Sequence, residues 1–194
     1  EKATGEISAG AGVGTSGSSI GFGIKENNYL GRGIRVKTNV QFTGNAVKGE
    51  LSFNNPNYKN TENSLFTRIS STSTDNLDDF GYKTNIYELS FGTDYEKYED
   101  LTFYPSINTN YEQLETTAKA SSSLRKQEGN YFESAFIYSL DYDKRNQRFQ
   151  PSDGFRSRFS QTLPFISNNY EVRNSYSYSK YQELYNGMIG SFAF

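Results

Sequence analysis

The stretch Ile34-Arg35-Val36-Lys37-Thr38-Asn39-Val40-Gln41-Phe42-Thr43 alternates without a break. Its even positions are Ile34, Val36, Thr38, Val40 and Phe42; its odd positions are Arg35, Lys37, Asn39, Gln41 and Thr43. Successive side chains of a strand point to opposite faces, so this run reads as a strand with one apolar and one polar face. Its length of about ten residues suffices to cross a bilayer at a tilt. The next run repeats the pattern in opposite parity, with Val47, Gly49, Leu51 and Phe53 against Lys48, Glu50, Ser52 and Asn54. Between the two, Thr43-Gly44-Asn45-Ala46 reads as a tight hairpin turn.

The same period extends both ways. Upstream, Ile7, Ala9, Ala11 and Val13 oppose Glu6, Ser8, Gly10, Gly12 and Gly14. After a turn at Thr15-Ser16-Gly17-Ser18, Ile20, Phe22 and Ile24 oppose Gly21, Gly23 and Lys25. Downstream, strands are expected near Ser64–Thr72, Tyr82–Thr93, Leu101–Gln113, Tyr131–Tyr142, Phe155–Leu163, Tyr170–Gln182 and Gly187–Phe194. That makes about eleven strands joined as hairpins, with no sustained helical period. Two connections read as long polar loops, Ser73–Gly81 and Glu115–Asn130. Barrels of the bacterial outer membrane carry their longer loops outside, which directs the amino terminus to the periplasm.

Composition agrees with alternation in a membrane. The 194 residues are 34% hydrophobic yet 16% aromatic, with 16 Tyr and 15 Phe, and the mean hydropathy is −0.77. Disorder depletes aromatics, whereas a membrane barrel shows lipid only every second residue and gathers aromatics at its interfaces. A Tyr-rich extracellular β-sandwich fits the same numbers. A net charge of −2 points away from nucleic acid. With no Cys and no His, thiol chemistry and the commonest general base and metal ligand are missing, so no enzyme activity, cofactor or metal is expected. No apolar run is long enough for a membrane helix. Glu1 does not open a signal peptide, which is therefore expected upstream.

The stretches Thr4-Gly5-Glu6, Gly10-Ala11-Gly12-Val13-Gly14-Thr15 and Gly21 through Gly33 resemble the first hairpin and first periplasmic turn of the Omp85 superfamily. Within it they look most like the BamA branch of outer-membrane assembly factors. Leu51-Ser52-Phe53-Asn54-Asn55-Pro56-Asn57-Tyr58 is similar to that family's fourth strand and following turn, although Asn57 separates the usual Pro and aromatic. Tyr142 through Gly154 resembles its Asp-x-Arg-Asp-Asn…Pro-Thr-x-Gly turn, with Asn146 and Gln147 in place of Asp-Asn. The resemblance implies a parent barrel of about sixteen strands, an even number. Residues 1–194 would be one partial barrel domain, roughly its amino-terminal two-thirds. Periplasmic POTRA domains would precede it, and the closing strands and a Val-Arg-Gly-Phe loop would follow. It further implies a factor that inserts and folds other outer-membrane proteins without ATP. Its partners would be the outer-membrane bilayer, unfolded client proteins and, through the POTRA domains, the lipoprotein subunits of the BAM complex. A two-partner secretion or TamA-like transporter of the same superfamily, and a passive porin or receptor, remain alternatives.

The implied seam makes the first strand, Glu6, Ile7, Ser8, Ala9, Gly10, Ala11, Gly12, Val13 and Gly14, the candidate docking edge for a client strand by β-augmentation. Its glycines weaken a strand and remove obstruction, or merely let a barrel wall pack and bend. Because they lie inside a strand pattern, they do not form a nucleotide loop. Arg156, Arg158, Glu171 and Arg173 are expected to face the lumen. Asp141, Asp143 and Glu133 with Lys144, Arg145 and Arg148 read as solvated turn charges rather than a paired-carboxylate hydrolase. Tyr176, Tyr178 and Tyr181 read as an interfacial girdle before a sugar-stacking surface.

Overall fold

A computed structural model describes residues 4–14, 17–185 and 187–194. Its strands form a single 11-stranded sheet in which each strand pairs antiparallel with its neighbours in sequence. They are β1 (Gly5–Gly14), β2 (Gly17–Tyr29), β3 (Ile34–Thr43), β4 (Ala46–Asn55), β5 (Ser64–Asn76), β6 (Tyr82–Tyr98), β7 (Leu101–Thr116), β8 (Gly129–Asp143), β9 (Gly154–Ser167), β10 (Arg173–Tyr185) and β11 (Met188–Ala193). The architecture is the antiparallel, barrel-type sheet expected from the alternation.

Local chemistry closes the turns. The Thr43 hydroxyl accepts from the Ala46 amide at 3.0 Å across Gly44-Asn45, and the Asn45 amide donates to Asn76 Oδ1 at 2.5 Å, tying this hairpin to the next. In the β2–β3 turn Gly31 and Gly33 take φ values of 69° and 67°, a region that favours glycine, and the Gly33 amide donates to the Asn28 side chain at 2.6 Å. The turn expected at residues 15–18 lies partly outside the described residues; Gly17 and Ser18 already belong to β2.

The two long loops are shorter than expected. β5 continues to Asn76 and β6 starts at Tyr82, so Ser73–Gly81 shrinks to residues 77–81. The polar residues at its start stay in the ladder because they bond across it: Ser73 Oγ donates to Asn85 Oδ1 at 2.7 Å, and Lys83 pairs with Asp75 at 3.5 Å. Likewise β7 runs to Thr116 and β8 starts at Gly129, and the connection between them holds one helical turn, Ser122–Arg125, capped by Ser121 Oγ. At the opposite end, residues 144–153 form a comparably long connection between β8 and β9. Loop length therefore does not separate the two ends.

Register gathers the apolar side chains on one face. Ile24, Thr38 and Leu51 are successive partners across β2–β4, then Ile69 and Leu89 across β5 and β6. Phe91, Ile107, Phe136 and Leu163 form a similar row across β6–β9. Ile20, Phe22, Ile24, Phe42, Leu51, Ile69, Leu89, Phe91 and Ile107 are all exposed, whereas the buried polar residues include Ser64, Ser70, Ser139 and Asp141. A soluble sandwich would cover its apolar face with a second sheet. Here only one sheet exists among the described residues, and its exposed apolar surface is the kind that lipid covers. Aromatic contacts run along this face: Tyr95–Phe103, Tyr142–Phe155, Phe155–Tyr178 and Tyr178–Phe194.

Candidate functional site

β1 has one partner among the described strands, β2, with Ile7 opposite Ile24, Ala9 opposite Phe22 and Ala11 opposite Ile20. Every residue of β1 is exposed. The Asn27 amide donates to the Thr4 carbonyl at 3.1 Å, which marks this opposed pair as hydrogen-bonded. Hydrogen-bonded and non-bonded pairs alternate along an antiparallel ladder. Glu6, Ser8, Gly10, Gly12 and Gly14 therefore spend their backbone groups on β2. Gly5, Ile7, Ala9, Ala11 and Val13 turn theirs to the open edge, and the side chains of the last four lie on the apolar face.

The glycines divide by surroundings. A Cβ at Gly23 would lie 2.7 Å from Ser8 Oγ and 2.8 Å from Asn39 Oδ1, and one at Gly92 would lie 2.6 Å from Phe66 Cζ. These two are packing glycines. A Cβ at Gly10 or Gly14 would meet nothing within 4 Å, and one at Gly12 would meet only Ser19 Oγ at 3.3 Å. Close packing thus does not account for glycine at Gly10 and Gly14 within the described residues.

The polar face holds a charge network at β8–β10. Arg156 grips Asp141 with two bonds, at 2.8 Å and 2.5 Å, and the Asp141 side chain is 6% exposed. Arg145 grips Asp143 with two bonds of 2.7 Å. Arg173 reaches Glu133 at 2.5 Å. Arg158 stands over the Tyr104 ring, 5.5 Å from its centroid. Arg156, Arg158 and Arg173 therefore share the polar face; Glu171, expected there with them, lines one cavity with Arg173 and Glu133 but forms no ion pair with any of the three among the described residues. Glu171 precedes β10, in the turn, and accepts from the Asn169 amide at 3.1 Å, because Arg173 rather than Tyr170 starts the strand.

The expectation of solvated turn charges needs correction as well. Asp141 is buried within β8, and both Asp141 and Asp143 are engaged by guanidinium groups, which leaves no free carboxylate pair for hydrolysis. Lys144 and Arg148 do lie in the turn. Lys144 pairs with Asp100 at 3.3 Å, joining the β6–β7 and β8–β9 turns, and this hydrogen bond raises the Lys144 pKa. The bond to Asp143 likewise raises that of Arg145. Of the three tyrosines weighed as a sugar platform, Tyr176 and Tyr178 share the apolar face with Phe159 and Ser157, while Tyr181 pairs with Gly154 in opposite parity. They do not form one stacking surface.

An apolar face without a second layer, a hydrogen-bonded meander and a buried polar network on the other face define a membrane β-barrel wall. The Omp85 superfamily domain matches residues 28–193; the chain belongs to the Omp85 superfamily and is part of an outer-membrane barrel. The matched stretch excludes β1. Its fold is similar to that of BamA from Haemophilus ducreyi, in a crystal structure lacking POTRA domains 1–3, with a TM-score of 0.70 and 22% identity. That likeness covers 93% of this chain and 38% of that one. Among curated protein sequences none matches this chain.

Proposed function

We propose that the chain is the amino-terminal part of the barrel of a BamA-like factor that inserts and folds other outer-membrane proteins, with β1 as the edge on which a client strand docks. The parent has about sixteen strands, with POTRA domains before residue 1 and the closing strands after residue 194. With periplasmic POTRA domains ahead of it, its amino terminus points to the periplasm, an orientation that rests on the family resemblance and not on loop length, and accessory lipoproteins engage it through those domains. The work is strand pairing and needs neither ATP nor covalent chemistry.

What supports this reading is the match of residues 28–193 to the Omp85 superfamily domain together with the parity of β1, whose alternate backbone groups face away from β2 and are those a closing strand, or a client strand in its place, would bond. Unpaired backbone groups are costly in lipid, so a strand that satisfies them is bound. Gly10, Gly12 and Gly14 keep the strand weak where a seam must open.

Parity supplies the test. Proline removes one N–H. At Ala9 or Ala11 it removes an outward donor and leaves the β1–β2 ladder bonded; at Gly10 it breaks that ladder. In the full-length protein, Ala9→Pro and Ala11→Pro should abolish assembly of clients in a depletion–rescue assay while the barrel still folds. A cysteine at Ser8 or Gly10 should crosslink to the terminal strand of a stalled client. Normal assembly by both proline variants, or crosslinks confined to other strands, would remove β1 from the role. Undisturbed assembly of other barrels on depletion would instead mark a passive pore.

A further inference from the structure

Cross-strand register sorts the charges of the polar face by strand. On β2–β5 this face carries Lys25, Arg35, Lys37, Lys48 and Arg68, with Glu50 as the one carboxylate. On β6–β8 it carries Glu88, Asp94, Glu96, Glu112, Glu133, Asp141 and Asp143. The cations of β9 and β10 are largely used locally, Arg156 by Asp141 and Arg173 by Glu133. Those of β2–β5 are not: none of the five lies within ion-pairing distance of a carboxylate among the described residues.

Lys25 stands between Glu6 of β1 on one side and Lys37 on the other, and the Lys25–Lys37 pairing is an arrangement in which like charges destabilise a sheet. Lys37 Nζ finds only the neutral Asn39 amide oxygen, at 3.2 Å in the orientation that satisfies both groups. Adjacent strands stand about 4.8 Å apart, and alternate residues along one strand about 6.8 Å. Lys25, Lys37 and Arg35 therefore form a tight corner, from which Arg68 lies two strands away in the same row. All five cations are exposed.

We infer that this cationic strip on β2–β5 binds an acidic polypeptide segment in extended form. The inference rests on the proposed reading of the polar face as the lumen wall. A lipid phosphate would have to approach from the opposite, apolar face. A channel wall of one sign focuses its field and concentrates oppositely charged chains. Carboxylates on alternate residues of an extended chain repeat at about 6.8 Å, which matches the Arg35–Lys37 spacing.

The test uses the full-length protein in liposomes and a fluorescein-labelled oligoglutamate peptide, followed by anisotropy. The unaltered protein should bind the peptide, with affinity falling as salt rises. Lys37→Gln combined with Arg68→Gln should weaken binding about tenfold or more, while Lys126→Gln, in the β7–β8 connection, should not change it. Absence of binding by the unaltered protein at low salt, equal binding by the double variant, or equal binding of a labelled oligolysine peptide or a single-stranded oligonucleotide would overturn the inference. Failure of the underlying reading has its own signature. A fluorophore at Leu51 should be quenched by spin-labelled lipid and one at Ser52 should not; the reverse result would mean that the polar face is not the lumen wall, whatever the peptide does.

Discussion

Replacing Arg156 by Ala strands a buried carboxylate. The Asp141 side chain is 6% exposed and loses both of its bonds, while the Arg156 side chain is 35% exposed. Breaking a fully buried pair costs about 3–5 kcal/mol, and an exposed pair contributes about 0–1 kcal/mol. Water reaches one partner here but scarcely the other, so the expected loss for Arg156→Ala is about 2–3 kcal/mol. Asp141→Asn keeps volume and an acceptor and leaves the cation where water can reach it, for a loss of about 1 kcal/mol. Asp141→Leu with Arg156→Met removes both charges and should fall within about 1 kcal/mol of the unaltered protein. The assay is urea unfolding of the full-length barrel in detergent, read from the mobility of unheated samples on gels. An Arg156→Ala loss below about 0.5 kcal/mol would refute the reasoning. So would an Asp141→Asn/Arg156→Ala double variant whose loss is the sum of the two single losses, because coupling is what the two bonds predict.

Gly92→Ala should destabilise the barrel by about 1–3 kcal/mol, since its Cβ would overlap Phe66 and Ser106; Phe66→Leu in the same chain should recover part of the loss in the same unfolding assay. Gly10→Ala meets open space and should be neutral or stabilising by a few tenths of a kcal/mol, up to about 1, with slower client assembly if β1 must open. Gly154→Ala should leave the β8–β9 turn unformed, because φ is +94° and the new Cβ would collide with the Lys144 carbonyl; protease cleavage between residues 144 and 153 would report it. The Lys144 pKa is raised above 10.5, so its bond to Asp100 contributes fully below that value and is lost as pH rises through the folded value. Stability from this tie should hold from about pH 7 to about pH 9 and fall only in stronger alkali; Lys144→Met should flatten that fall.

The strand order was legible because a two-residue period is strong wherever one face is apolar, as from Ile34 to Phe42. It failed where both faces are polar. Ser73, Thr74 and Asp75 look like loop residues by type, yet the ladder continues through them on side-chain bonds to Asn85 and Lys83. The Asp141–Arg156 pair was out of reach for a related reason. Parity put each residue on a face, but opposing them requires the hairpin centre, and the long β8–β9 connection hides it. Had the turn been centred between Phe149 and Gln150, Asp141 would have fallen opposite Arg158 and Asp143 opposite Arg156, as the register has them. Glu171 was assigned to a strand because the run from Tyr170 alternates before the chain has entered the sheet.

Parity also constrains what β1 accepts, if it is the docking edge. Its outward backbone groups belong to Ile7, Ala9, Ala11 and Val13, whose side chains face the same way as Ile24 and Phe22. A strand that bonds to these groups in continuing register must set its own apolar residues on that side. A slip of one residue would turn all its polar side chains into the lipid. The edge is thus selective without any side-chain pocket: lipid on one side and the polar wall on the other reject a strand in the wrong phase. Inserting one residue at the middle of a client's terminal strand, which turns over the half that follows, should therefore block docking as effectively as Ala9→Pro, while inserting two at the same point should restore it. Equal assembly of both insertions would mean that recognition at β1 does not read alternation.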